Sequence, residues 1–174
     1  MLNMQSSSAV KQFKSLRSLC LKIVSLVLNK YEDHEFGYEF WSLFFASVKH
    51  LVDSFKQKGS RMEKLSLSSC FVAMSRSHRL VSLLSWEKNL VPNIFSILSV
   101  MTASKAIVSC VLTFVENLLN LDSELNDEED ATKRVLLPNL EALICSLHCL
   151  FQSDTKGYEC CFVFYLVLVF LIFS

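Results

Sequence analysis

One nine-residue apolar motif occurs three times in the chain, and successive copies begin 46 residues apart. The copies occupy residues 44–52, 90–98 and 136–144. Each has two apolar residues, Pro or Ala, a small polar residue, an apolar residue, two variable positions and two further apolar residues. A period of about 40–47 residues built from helix pairs is typical of HEAT and armadillo arrays. The period predicts an all-α, HEAT/armadillo-like α-solenoid of antiparallel helix pairs, with about two and a half repeats.

The composition also favours an all-helical chain. Its 174 residues include 3 glycines and 2 prolines, which is too few for the turns of a strand-rich fold. The apolar fraction is 52% and the charged fraction 20%, so much of the surface is expected to be buried or shared. We expect residues 9–152 to form the helical repeats, residues 153–157 a linker and residues 158–174 a hydrophobic C-terminal tail.

Apolar residues at helical spacing predict two alternating types of helix. Helices that carry the repeated motif are predicted at 38–56, 90–100 and 131–152. Helices whose apolar stripe includes a cysteine are predicted at 9–30, 60–86 and 104–121. Pro138 falls inside the last motif helix and predicts a kink or a late helix start. Phe45, Val91 and Leu137 occupy the same point of successive repeats and are expected in equivalent inward positions.

The first helix, at residues 9–30, has an apolar stripe that is predicted to face the core. The stripe consists of Val10, Phe13, Leu16, Cys20, Ile23, Val24 and Val27. The polar side chains predicted to lie away from it are Lys11, Lys14, Arg17, Ser18, Lys22 and Ser25. In the second helix the aromatic residues Trp41, Phe44, Phe45 and Phe55 have the spacing of a buried face, so they are expected in the core.

Several residues have the chemistry of helix caps. Gly59 can end the second helix in the left-handed conformation. Ser60 and Glu63 fit a capping box at the start of the third helix, in which Glu63 returns to the Ser60 backbone N–H. Ser104 and Asp130 are the predicted N-caps of the last two helices.

The net charge is zero, but the charges are unevenly distributed. Residues 1–121 contain 14 Lys and Arg against 8 Asp and Glu, whereas residues 122–130 contain 6 acidic residues. A short acidic block is usually a solvated loop. The basic excess before it is below a nucleic-acid-binding signature, so direct RNA contact is left open.

No residue pattern predicts catalysis, a cofactor or a metal site. Cys145, His148 and Cys149 share one helix, but zinc would need further ligands from a second element, and a half-buried helix face is favoured. His78 beside Ser77 has no nucleophile elbow around it. The acidic block lacks the central Gly and the closing Glu of a calcium loop. We therefore expect a protein that is not an enzyme. Seven cysteines without a secretory signal predict a reducing compartment and no disulfide.

Three stretches resemble a known family, the very large HEAT-repeat scaffold of the small-subunit processome, or down-regulated-in-metastasis family, particularly its plant members. The stretches are residues 15–45, 69–84 and 87–151. The resemblance implies a nucleolar or nuclear scaffold, here as a truncated fragment, that works in ribosome biogenesis and rRNA processing. It implies association with a small nucleolar ribonucleoprotein (snoRNP), other processome proteins and pre-ribosomal ribonucleoprotein, and it implies no catalytic residue.

The C-terminal tail leaves a second hypothesis open. The run from Tyr158 to Phe173 is almost wholly apolar, which suggests the alternative of a small tail-anchored membrane adaptor. The run is shorter than the 18 or more residues of a usual membrane span, so docking against the last helix is predicted instead. Because the first and last predicted helices lack repeat partners, the isolated fragment 9–152 is expected to self-associate.

Overall fold

The computed structural model describes residues 2–31, 34–54, 61–100, 103–121 and 132–153, and nearly all of them are helical. The α-helices are α1 (Leu2–Lys30), α2 (Tyr38–Asp53), α3 (Arg61–Met74), α4 (His78–Leu83), α5 (Leu90–Phe95), α6 (Lys105–Asn120) and α7 (Leu140–Ser153). Three 3-10 turns lie at Leu84–Trp86, Ser96–Ser99 and Leu137–Asn139, and a π-helical turn at Thr132–Leu136. No strand occurs in these ranges, so the predicted all-α solenoid class is confirmed.

The helices lie in two layers that match the two predicted types. One layer is the row α1, α3 and α6, in which α3 packs between its two neighbours. The other is the row α2, α5 and α7, in which the 3-10 turn after α5 provides most of the packing on α7. Apart from the short α4, sequence neighbours thus alternate between layers, as in an array of helix pairs.

The core lies between the two layers and contains large side chains from both. Phe71 of α3, Phe95 of α5 and Phe114 of α6 are each almost completely buried. The rings of Phe95 and Phe114 meet edge to face with centroids 6.2 Å apart. Trp41, Phe44 and Phe45 of α2 are also buried, as predicted, whereas Phe55 lies outside the described residues.

Burial repeats with the 46-residue period at the first and eighth positions of the motif. It does not repeat at the second position, where all three copies are predicted to face inward. The first positions, Phe44, Leu90 and Leu136, are all buried, as are the eighth positions, Leu51, Ile97 and Leu143. Of the three predicted inward residues, Phe45 and Val91 are buried, but Leu137 is 46% exposed, so that prediction is wrong for the last copy.

The π-helical turn before Leu137 explains this difference. It changes the angle per residue, so Leu136 faces the core and Leu137 falls outside. Pro138 has no N–H to give to the helical ladder, and regular α-helix begins at Leu140. The predicted late helix start is therefore confirmed.

Other predicted boundaries differ from the structure. The helix expected at 60–86 is interrupted, because α3 ends at Met74 and α4 begins at His78. The buried hydroxyl of Ser75 donates to the Val72 carbonyl at 2.8 Å and accepts from the Asn117 side chain at 2.9 Å, which holds the break against α6. The first helix begins at Leu2 rather than residue 9, and the helix expected at 90–100 becomes α5 plus a 3-10 turn.

Of the predicted cap residues at helix ends, some lie among the described residues and some do not. Ser104 occupies the N-cap of α6, as predicted, but its hydroxyl makes no capping hydrogen bond. Gly59, Ser60 and Asp130 lie outside the described residues, as do the acidic block at 122–130 and everything after residue 153. The linker, the tail and its predicted docking on α7 therefore have no structural account.

Candidate interaction surfaces

The seam between α1 and α3 combines the buried leucines Leu21 and Leu28 of α1 with small and polar side chains. The hydroxyls of Ser18 and Ser66 are hydrogen-bonded at 2.8 Å, and Ser18 also donates to the Met62 carbonyl at 3.2 Å. Arg17 Nε donates to Glu63 Oε1 at 2.6 Å, so the Glu63 carboxylate, 3% exposed, is paired across the seam. Small side chains at such a crossing let two helices approach closely, and directional hydrogen bonds set their register.

Large apolar side chains are also exposed along α1. They are between 50% and 67% exposed and recur at intervals of three or four residues, and the last four lie on the side opposite the seam. They are Val10, Phe13, Leu16, Leu19, Ile23 and Leu26, and we call this set the outer stripe. Apolar patches beyond a few hundred Å² are uncommon on monomers and mark interaction sites.

The sequence prediction for α1 is therefore wrong in direction. Five predicted inward residues (Val10, Phe13, Leu16, Cys20 and Ile23) are exposed, while Val24 and Val27 are half-buried. Ser18 and Ser25, which were predicted to lie away from the core, are buried. The face that packs consists instead of Ser18, Leu21, Ser25 and Leu28, which recur at intervals of three and four residues.

The charge of α1 is of one sign. It contains Lys11, Lys14, Arg17, Lys22 and Lys30 and no Asp or Glu. Only Arg17 meets a carboxylate across the seam, and Lys30 lies over the Tyr31 ring at 5.5 Å. The outer stripe is consequently bordered by cations.

A second surface is an aromatic cleft of about 210 Å³ between the start of α2 and the end of α4. Phe36, Trp41 and Trp86 line it, and the Arg79 guanidinium closes one side by donating to the His34 carbonyl at 2.5 Å. Tyr38, 73% exposed, and Trp86, 47% exposed, have ring centroids 5.6 Å apart at its mouth. Sequence reasoning missed this pair, because its two members are 48 residues apart and belong to different helices.

Cys70 of α3 and Cys110 of α6 do not have the properties of nucleophiles. Burial raises the pKa of the Cys70 thiol to about 12, and a hydrogen bond from the Ser25 backbone only partly opposes this. The thiol donates to the Leu21 carbonyl at 3.1 Å. Burial also raises the pKa of the half-buried Cys110. A thiol that stays protonated at neutral pH is a packing residue rather than a reactive one.

The residues weighed for metal binding or catalysis do not come together. Cys145 and Cys149 are free and exposed, and His148 is hydrogen-bonded to Gln152 at 2.9 Å. Within the described ranges no group of three or more His, Cys, Asp or Glu side chains is placed to hold a metal ion. Ser77 is the N-cap of α4, without a capping hydrogen bond from its side chain. No helix in the described part of the chain is both long and apolar enough to cross a membrane.

Together the two layers and their surfaces define an all-α protein of the solenoid type. The family model described as "U3 small nucleolar RNA-associated protein 20, N-terminal" matches residues 2–160, which is nearly the whole chain. The chain therefore belongs to this family, which is related to the small-subunit processome. No curated protein and no solved structure matches it.

Proposed function

We propose that this chain is a non-catalytic scaffold of the small-subunit processome, acting in pre-ribosomal RNA processing and small ribosomal subunit biogenesis. The observation that supports the proposal most is the family match over residues 2–160, since the family description names a protein associated with U3 small nucleolar RNA. The resemblance to the down-regulated-in-metastasis scaffolds points the same way. The proposed location is the nucleolus.

The proposed mechanism is passive binding. Stacked helix layers present long surfaces to which partners bind without a chemical step. The outer stripe of α1 and the aromatic cleft at Tyr38 and Trp86 are the surfaces of this kind in the described residues. Other processome proteins and pre-ribosomal ribonucleoprotein are the proposed partners.

The first experiment expresses the tagged full chain in cells and measures its location and the RNA that co-purifies with it. We expect nucleolar fluorescence and enrichment of U3 small nucleolar RNA over an unrelated nuclear RNA. The matched control is Phe71→Asp, which places a charge in the core and abolishes the fold. Diffuse location together with no U3 enrichment for the wild-type chain would overturn the proposal.

The second experiment separates a scaffold from an enzyme. Depleting the protein is expected to raise the level of unprocessed small-subunit rRNA precursor, and the wild-type chain is expected to restore processing. Because no single chemical group carries the function, His78→Ala and the double variant Cys145→Ala/Cys149→Ala are expected to restore processing equally well. Complete loss of rescue by either variant, with the fold intact, would contradict the non-catalytic role.

A further inference from the structure

We infer that the outer stripe of α1 is the docking site for an amphipathic helix whose apolar face is bordered by Asp or Glu. The inference extends the proposed scaffold role, on which it rests for its biological setting, by naming one surface and the chemistry of its partner. It depends on three properties of α1, which are the exposure of its apolar face, its packing environment and its charge.

The stripe has the shape that a helix fits. Leu16, Leu19, Ile23 and Leu26 follow one another at intervals of three, four and three residues, which makes a ridge along one side of α1. This ridge spans 10 residue steps, or about 15 Å of helix axis at about 1.5 Å per residue. Ridges of this kind pack into the grooves of a second helix.

The packing of α3 in the same layer shows which kind of element lies beside a helix of this row. The middle helix of the row, α3, is flanked by α1 on one side and by α6 on the other. By contrast, α1 packs on α3 by the side that carries Ser18, Leu21, Ser25 and Leu28, and its opposite side, which is also apolar, is exposed. A further helix beside α1 would give it the environment that α3 already has.

Charge selects among possible helices. Residues three and four apart are neighbours on a helix surface, so Lys14 lies beside Val10, Lys22 beside Leu19 and Leu26, and Lys30 beside Leu26. Since α1 has five basic residues and no acidic one, a second copy of α1 along the stripe would set like charges against each other. A partner with acidic flanks removes this repulsion, and Arg17 with Glu63 shows the same pairing on the other side of α1.

An anionic lipid surface would also attract a basic amphipathic helix. The helical surroundings of α3 favour a protein helix instead, because they show a helix occupying the corresponding space in the same layer. Lipid binding and self-pairing are therefore outcomes that the experiment must separate from helix docking.

The experiment measures binding of the full chain to a fluorescent synthetic peptide by anisotropy at low and moderate salt. The probe is a helical peptide of about 20 residues with leucines at every third or fourth position and Glu on both flanks. The control probe replaces every Glu with Lys. We expect the acidic probe to bind at least about tenfold more tightly than the basic one, and salt to weaken its binding.

Variants of the chain locate the site. Leu19→Ser/Ile23→Ser is expected to weaken binding of the acidic probe more than about tenfold, because two buried side chains are lost from the interface. Leu43→Ser, at a leucine of α2 that is 71% exposed, is the control and should bind like the wild type. Lys22→Glu/Lys30→Glu is expected to reverse the preference between the two probes.

Three results would overturn the inference. The first is equal binding of the two probes, or binding that Leu19→Ser/Ile23→Ser does not change. The second is tighter binding to phosphatidylserine vesicles than to the acidic probe. The third is a wild-type dimer in sedimentation that forms more tightly than the complex with the acidic probe and that Leu19→Ser/Ile23→Ser converts to monomer. Each leaves the proposed scaffold role standing, because U3 co-purification measures that role independently.

Discussion

The two sides of α3 are held by different forces. Toward the core, Leu67, Phe71 and Met74 are completely or almost completely buried among other apolar side chains. Toward α1, Glu63 and Ser66 make an ion pair and a hydrogen bond. Apolar burial supplies most of the free energy of folding, whereas directional polar contacts mainly fix which alignment two helices adopt. The comparison suggests that the core stabilises the array and that the seam specifies its register.

The largest expected effect is on the core side. Phe71→Ala should lower the free energy of unfolding by about 3–5 kcal/mol, since it removes a buried aromatic ring and leaves a cavity. Urea unfolding followed by circular dichroism measures this change. The control Leu26→Ala, on the outer stripe, should change stability by less than about 0.5 kcal/mol. Equal losses for the two variants would show that the outer stripe is buried in solution.

The next effect is on the seam. Arg17→Leu leaves the Glu63 carboxylate buried without its partner and should cost about 2 kcal/mol, less than for a fully buried pair because Arg17 is partly exposed. The double variant Arg17→Leu/Glu63→Leu should recover most of that loss, because both charges are then removed. A double variant that is no more stable than Arg17→Leu would mean that the seam depends on the ion pair for stability and not only for register.

The same comparison explains what the sequence could and could not predict. Apolar periodicity identified the helix types and the buried Phe44, Leu90 and Leu136, because burial against a thick core requires apolar side chains at fixed intervals. It failed for α1, since a helical pattern cannot tell a face buried in the chain from one that an interaction partner covers. It also failed at Leu137, where a π-helical turn breaks the regular angle per residue.

The candidate surfaces were harder to predict than the fold. Four of the six residues of the outer stripe belong to the apolar stripe that the sequence assigns to the core, whereas Leu19 and Leu26 do not. The cleft at Tyr38 and Trp86 depends on the distance between two helices, which no local pattern encodes. Register across the seam depends on Ser18 and Ser66, whose type alone would place them on a solvated face.

A third effect is a pH dependence from Cys70. Its folded pKa of about 12 lies above the ordinary value of 9.0, so its contribution to stability is present below about pH 9 and is lost as pH rises toward 12. At pH 10 the loss should be about 1 kcal/mol. Cys70→Ala should show a flatter decline of stability between pH 8 and pH 10, measured by urea unfolding at matched ionic strength. An unchanged slope would indicate that the Cys70 thiol is accessible to water.

The smallest effect on stability, with a distinct effect on association, is expected for the outer stripe. Leu19→Ser/Ile23→Ser should leave the free energy of unfolding within about 0.5 kcal/mol of the wild type. The isolated fragment 9–152 is expected to self-associate weakly, and more strongly at high salt, where the lysines of α1 are screened. Sedimentation at two salt concentrations measures this. Association that weakens with salt would indicate pairing of opposite charges instead.

The dependence of α1 on one neighbour has a consequence for motion. Because α1 packs mainly on α3 alone and buries only Leu21 and Leu28 among its large apolar side chains, we expect it to detach before the central helices unfold. Cooperative units of this kind open with a smaller free energy than the whole domain does. Amide protons of α1 should therefore exchange with solvent deuterium sooner than those around Phe71 and Phe114. A helix docked on the outer stripe would hold α1 against α3. Slower amide exchange in α1 alone would therefore detect binding without a fluorescent label.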